Sequence, residues 1–174
     1  MLCNSCGKTM KKVKKDYRYI ESGLNNIVLG NLTVVTCECG EEMPVIPHID
    51  SLHRVIAFEL VKSRAHLSGK EARFIRKQLG MKSTVLAGIL GVDKVTISRW
   101  ENDNKPIGAA NDRLIRSLYL TKIAEELKQF VSIGKLTAIL SNITSSQSST
   151  RKKHPTINVP ANKISSYDYG LASC

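Results

Sequence analysis

The sequence predicts an α+β chain in which a small cysteine-bearing β unit precedes an all-α region. Three observations predict it. Two close cysteine pairs, Cys3/Cys6 and Cys37/Cys39, bracket a stretch of alternating and β-branched residues. From Ile49 onward apolar residues recur at helical spacing, and Gly80 and Gly91 punctuate that pattern. At 174 residues and 42% apolar composition, the chain suits two small units better than one large core.

Residues 1–48 form the expected β unit. "DYRYIE" alternates like a strand, and "NNIVLGNLTVVT" reads as two strands joined by a tight hairpin at Gly30-Asn31, where glycine tolerates a positive φ. Pro44 and Pro47 then end the sheet. Over residues 49–67, Leu52, Val55, Ile56 and Leu60 recur at helical spacing and predict a linker helix.

Residues 68–120 carry the signals of four short helices. Ser68 followed by Glu71 is a capping box, in which the serine oxygen accepts a free backbone N–H and the glutamate reaches back. Phe74, Ile75 and Leu79 supply the buried face of this first helix, and Gly80 stops it in the left-handed conformation. A second helix holds Val85, Leu86, Ala87, Ile89 and Leu90 and stops at Gly91; a third starts at the cap Asp93 and closes before Pro106; "DRLIRSLYL" forms the fourth. Such a unit offers a binding surface rather than an enclosed pocket.

A C-terminal helix is expected over 121–143, with apolar Ile123, Leu127, Phe130, Val131, Leu136 and Ile139 and a weak point at Gly134. Periodicity says that its face is buried, either in a dimer or against its own domain. Residues 144–174 are Ser/Thr-rich and then basic and predict a disordered tail, whose Arg151, Lys152 and Lys153 either touch phosphates or stay solvated. Cys174 is read as a free thiol on a frayed end.

Charge narrows the function. The net charge of +11 suits a polyanionic partner, and its distribution is uneven. Residues 1–50 hold six Lys/Arg against six Asp/Glu, residues 51–120 thirteen against six, and residues 121–174 seven against three. No run approaches the roughly 18 apolar residues of a membrane span, and "MLCNSCGKTM" lacks the apolar core of a secretion signal, so a soluble cytoplasmic protein is expected. No His/Glu constellation or glycine-rich phosphate loop points to an enzyme.

The excess of charge coincides with a motif. "LGMKSTVLAGILGVDKVTISRWEND" resembles the helix-turn-helix of the Cro and lambda-repressor type, and the resemblance extends from about Ser68 to Leu120. Ala87, Gly91, Val92, Ile97 and Trp100 each have a structural reason: a close helix crossing, a turn, and the seal of the core. The outer face of the third helix is left with Lys94, Val95, Thr96, Ser98 and Arg99. In a docked helix of this kind lysine or arginine donates to guanine, and valine or threonine methyls contact thymine, so Arg99 is the first candidate for base reading. Lys82, Ser83, Asn102 and Lys105 are expected near phosphates. The resemblance also implies a structural ion pair between Arg76 and Glu101. It departs at Lys82, which holds the usual Ser/Thr cap position, so Ser83 is expected to cap one residue later. Protein docking alone is the competing reading of such a fold.

Cys3, Cys6, Cys37 and Cys39, each pair followed by a glycine, predict a closed four-thiolate site for structural Zn2+. Because C-x-C is tighter than C-x2-C, His48 or His53 stands as an alternative ligand to one cysteine. Two knuckles starting at residue 3, then "ESGL", then a "RWEN…P" helix-turn-helix, resemble the MqsA-type antitoxins with a YgiT-type zinc finger. The resemblance covers roughly residues 1–120. It implies a homodimeric repressor of a palindromic operator that also neutralises a ribonuclease-type toxin; a regulator with no toxin shares the same parts. On this reading residues 1–50 bind the partner protein and residues 68–120 bind double-stranded DNA as separable activities.

Overall fold

The computed structural model describes residues 1–46, 48–128, 132–143 and 154–169. Its sheet is organised around one long strand. β1 (Lys11–Arg18) and β2 (Ile27–Thr36) pair antiparallel from Lys11 opposite Thr36 to Arg18 opposite Val28. The other side of β2 is shared by β3 (Glu42–Pro44), antiparallel near Val34–Thr36, and by a C-terminal strand, β4 (Ile157–Pro160), which is parallel along Ile27–Gly30.

Gly30-Asn31 does not make the expected hairpin. Lys15 faces Leu32 while Tyr17 faces Leu29, so Gly30 and Asn31 together stand opposite Asp16 in a β-bulge. Asn31 adopts the positive φ of 54°, and its N–H donates to Asp16 Oδ1 at 3.0 Å. β1 is long enough to pair with both halves of the run, which therefore stays one strand. The chain instead reverses between β1 and β2, through a 3-10 turn at Ile20–Ser22 that ends on Gly23 at φ 80°. Pro44 closes β3 as expected, and Pro47 lies outside the described residues.

Among the described residues six α-helices follow: α1 (Ile49–Lys62), α2 (Gly69–Gln78), α3 (Ser83–Leu90), α4 (Lys94–Glu101), α5 (Ala109–Glu126) and α6 (Ile133–Ser141). The expected linker helix, α1, is a core element. Ala57, Phe58 and Val61 are buried together with Leu52, Val55, Ile56 and Leu60, so this helix is apolar well beyond one stripe. One continuous core runs from Leu29 and Leu32 of β2 through α1 to Ile75, Ile97, Ile115 and Tyr119. Sheet and helices therefore share their interior.

A buried arginine holds the end of α1. The Arg116 guanidinium donates to the carbonyls of Val61 at 2.7 Å, Ser63 at 2.7 Å and Ala65 at 2.6 Å, and to Asp112 Oδ1 at 2.9 Å. Nη1 also donates to the Leu60 carbonyl at 3.1 Å, and because Arg116 and Asp112 are both fully buried, these five acceptor residues stand in for the lost water. α5 continues past Leu120, where a boundary was expected, because Tyr119, Leu120 and Ile123 lie on one buried face. Leu127, Leu136 and Ile139 pack half-buried against the same core, so the C-terminal helical region folds back onto its own chain; Phe130 and Val131 lie outside the described residues.

Part of the expected disordered tail is ordered. In residues 154–169, Ile157 and Val159 of β4 are buried, and Tyr167 and Tyr169 stand edge-on to Phe58 with ring centroids 6.2 and 5.1 Å away. The alternation of "INVP" is what lets it complete the edge of β2. Arg151, Lys152, Lys153 and Cys174 lie outside the described residues.

Candidate nucleic-acid interface and metal centre

α2 begins at the expected capping box, with Ser68 Oγ accepting from the Glu71 N–H at 3.2 Å and Glu71 Oε2 accepting from the Ser68 N–H at 2.8 Å. Gly91, at φ 63°, turns α3 into α4. Between these helices Leu86, Ala87, Leu90, Ile97 and Trp100 are buried. Arg76 Nε and Nη2 donate to the two oxygens of Glu101 at 2.6 and 2.9 Å, and Nη1 donates to the Met81 carbonyl at 2.8 Å. This is the ion pair that the helix-turn-helix resemblance implied.

Two capping details differ from expectation. Lys82 is the N-cap of α3 and gives no side-chain cap; Ser83 is the first helical residue and does not cap. Asp93 does occupy the N-cap position of α4, but its carboxylate accepts from Thr96 Oγ1 at 3.4 Å and makes no cap bond to the backbone.

Sequence reading missed Gly69. A Cβ there would stand 1.7 Å from the Trp100 carbonyl oxygen, so only glycine lets α2 cross the end of α4 so closely. The Gly69 N–H donates to Asp103 Oδ1 at 2.8 Å. The one signal in the sequence was a glycine directly after a capping serine.

With the inner face locked, α4 presents Lys94, Val95, Ser98 and Arg99 to solvent, and Asn102 follows at its C-cap. Thr96 is half-buried, on the flank beside Trp100. Asn102 Nδ2 donates to the Ser98 carbonyl at 2.8 Å, fixing that side chain along the helix. The exposed Lys105 is brought back to α4 by its N–H, which donates to the Arg99 carbonyl at 3.2 Å. Lys82 is exposed and Ser83 half-buried at the start of α3, which packs on α4. The exposed face of α4 thus carries a cation near each end, Lys94 and Arg99, on an element of the kind that a major groove about 12 Å wide admits.

At the far end of the sheet the four cysteines come together. Their Sγ atoms all lie within 4.8 Å of one another. Two contacts join one pair to the other: Cys3 to Cys39 at 3.6 Å and Cys6 to Cys37 at 3.4 Å. A tetrahedral site with metal–sulfur bonds of about 2.3 Å has sulfur edges of about 3.8 Å, so the arrangement fits. Each knuckle is closed by its glycine: the Gly7 N–H donates to the Cys3 carbonyl at 2.9 Å and the Gly40 N–H to the Cys37 carbonyl at 3.0 Å, both glycines having positive φ. The Ser5 backbone N–H, helped by that of Cys6, holds the Cys3 thiol down at about 7. At Cys6 and Cys39 the lowering pull of the Lys8 and Glu41 backbone N–H groups is outweighed by hydrogen bonds among the neighbouring thiols, which push Cys6 up to about 12 and Cys39 upward as well. Neither histidine joins the cluster. His48 is exposed at the N-cap of α1, and His53 Nε2 is 2.9 Å from Tyr19 Oη, where burial pushes its pKa down. These four cysteines could hold a metal ion.

No described helix is long and apolar enough to cross a membrane. No curated protein and no solved structure matches the chain. A family model described as helix-turn-helix matches residues 73–111, from within α2 to the first turn of α5. These residues form a helix-turn-helix domain of the XRE type, the equipment of a DNA-binding transcription regulator.

Proposed function

We propose that the chain is a sequence-specific repressor that docks α4 in the major groove of a palindromic operator, as a homodimer. The observation that carries the reading is the division of α4: Ile97 and Trp100 are locked inside while Lys94, Val95, Ser98 and Arg99 face out. Arg99 and Lys94 donate to guanine edges, and the methyls of Val95 and Thr96 contact thymine. Lys82, Ser83, Asn102 and Lys105 hold the backbone without reading sequence. Zn2+ on Cys3, Cys6, Cys37 and Cys39 is structural, since four thiolates leave no open position, and no catalytic step is assigned to the chain.

Selection of duplexes from a random library by the purified protein tests this. Two inverted half-sites with centres about 34 Å apart, or a multiple of that, are expected. Recovery of a single half-site counts against the dimer, and recovery of no preferred sequence counts against the repressor.

The four-cysteine cluster ahead of the helix-turn-helix supports a second reading, that the repressor is also the antitoxin of a ribonuclease-type toxin. Co-expression with the product of a small neighbouring reading frame tests it. Growth arrest that the full chain relieves supports the antitoxin; a neighbour without toxicity leaves a stand-alone regulator.

A further inference from the structure

Along α2 the cations Lys70, Arg73 and Lys77 fall at i, i+3 and i+7, on one exposed face. They line a cleft of about 320 Å³ together with Ser22 and Gly23, in the turn between β1 and β2, and with Asn102 at the end of α4. The two acids at this cleft are already engaged. Glu101 is held by the fork of Arg76, at 2.6 and 2.9 Å, and Asp103 accepts from the Gly69 N–H at 2.8 Å. Arg73 reaches Glu101 at only 3.9 Å with its side chain 51% exposed, and among the described residues no acid pairs with Lys70 or Lys77. Glu101 is neutralised by Arg76, whereas a backbone N–H does not cancel the charge of Asp103, so with three cations against that one acid the cleft keeps a net positive charge.

We propose that this cleft holds the phosphate backbone of the DNA beyond the half-site read by α4. The proposal rests on the reading of α4 as the helix in the groove. From Lys70 to Lys77 the helix rises about 10 Å, and each DNA strand carries one charge per about 3.4 Å of axis, so the stripe meets more than one phosphate. Asn102 and Glu101 place it directly beside the C-terminal end of α4, where a strand bordering the groove passes. The turn at Ser22 and Gly23 makes the sheet one wall of the DNA-binding surface, a role that the balanced charge of residues 1–50 conceals.

The test compares the wild-type chain with Lys70→Gln/Lys77→Gln, on a duplex recovered by selection and on an unselected duplex, over a range of salt. Both lysines are exposed, and circular dichroism checks the fold. The slope of log K against log salt is expected to fall by about 1.8, the value for two lost phosphate contacts, with equal weakening on both duplexes. Lys70→Arg/Lys77→Arg is expected to restore it. An unchanged slope and affinity, in a wild-type chain that binds DNA, overturns the cleft alone. Weakening confined to the selected duplex overturns phosphate contact in favour of base reading. A wild-type chain that binds no duplex overturns this inference together with the function on which it rests.

Discussion

Glu71 and His154, which are far apart in the chain, meet at 3.1 Å through Oε2 and Nδ1. The same carboxylate caps α2 through the Ser68 N–H and accepts from Asn26 Nδ2 at 3.1 Å, so one side chain ties the helix-turn-helix, the sheet and the C-terminal segment together.

This joint makes stability depend on pH. The hydrogen bond to Glu71, with the nearby charges of Glu71 and Asp103, raises His154 above its ordinary 6.5, so its contribution is fully present below that value and is lost as pH rises through the raised pKa. Glu71 is held below its ordinary 4.5: burial acts against this, but the hydrogen bond and charge of His154 and the bonds to Ser68 outweigh it. Its contribution is present above that value and is lost as pH falls through the lowered pKa. Urea midpoints of the wild-type chain should therefore be highest between about 4.5 and 6.5 relative to His154→Gln, and the difference should shrink above neutrality. A difference that does not vary with pH sinks the assignment.

Gly69→Ala should destabilise the fold by about 3 kcal/mol, the upper range for overpacking, because the new methyl meets the backbone carbonyl of Trp100 rather than a movable side chain. Gly88→Ala is the control, since nothing lies within 4 Å of a Cβ there. Equal melting temperatures for the two variants would falsify the close crossing.

Arg99→Ala should lower affinity for the selected duplex by roughly 1 to 3 kcal/mol and relax preference at one position in each half-site. Lys105→Ala should weaken all sequences alike. Equal loss for Arg99→Ala on selected and unselected duplexes removes it from base reading.

Metal analysis should find one zinc per chain, and Cys37→Ser should lose it. Because β2 shares its interior with α1, chelation should lower a single cooperative melting transition instead of melting a separate unit. Two resolved transitions in calorimetry speak against the shared core.

Deletion of residues 1–50 should abolish cooperative folding, contrary to the separable activities that the sequence suggests. It removes Leu29 and Leu32 from the core and takes away the partner of β4. A truncated chain that melts cooperatively and binds the selected duplex as tightly as the full chain refutes this.

What the sequence determined by itself is what depends on neighbours a few residues apart. Ser68 and Glu71 announced the start of α2, Gly91 announced its turn, and the alternation of faces on α4 separated Trp100 from Arg99, because capping and helical periodicity act within one or two turns. The four cysteines were legible as ligand types at knuckle spacing, but it is the sheet that sets Cys3 against Cys39 and Cys6 against Cys37. Gly30-Asn31 was read as a hairpin turn with its glycine at positive φ; the positive φ falls on Asn31 instead, and the length of β1 decided that the pair is a bulge. Only the tertiary structure made α1 a core helix, buried Arg116 among five acceptor residues, required glycine at position 69, and gave "INVP" an edge to complete. Each of these depends on segments brought together from tens of residues apart, and the cost of closing such loops is met only when the whole core forms, so no local pattern carries them.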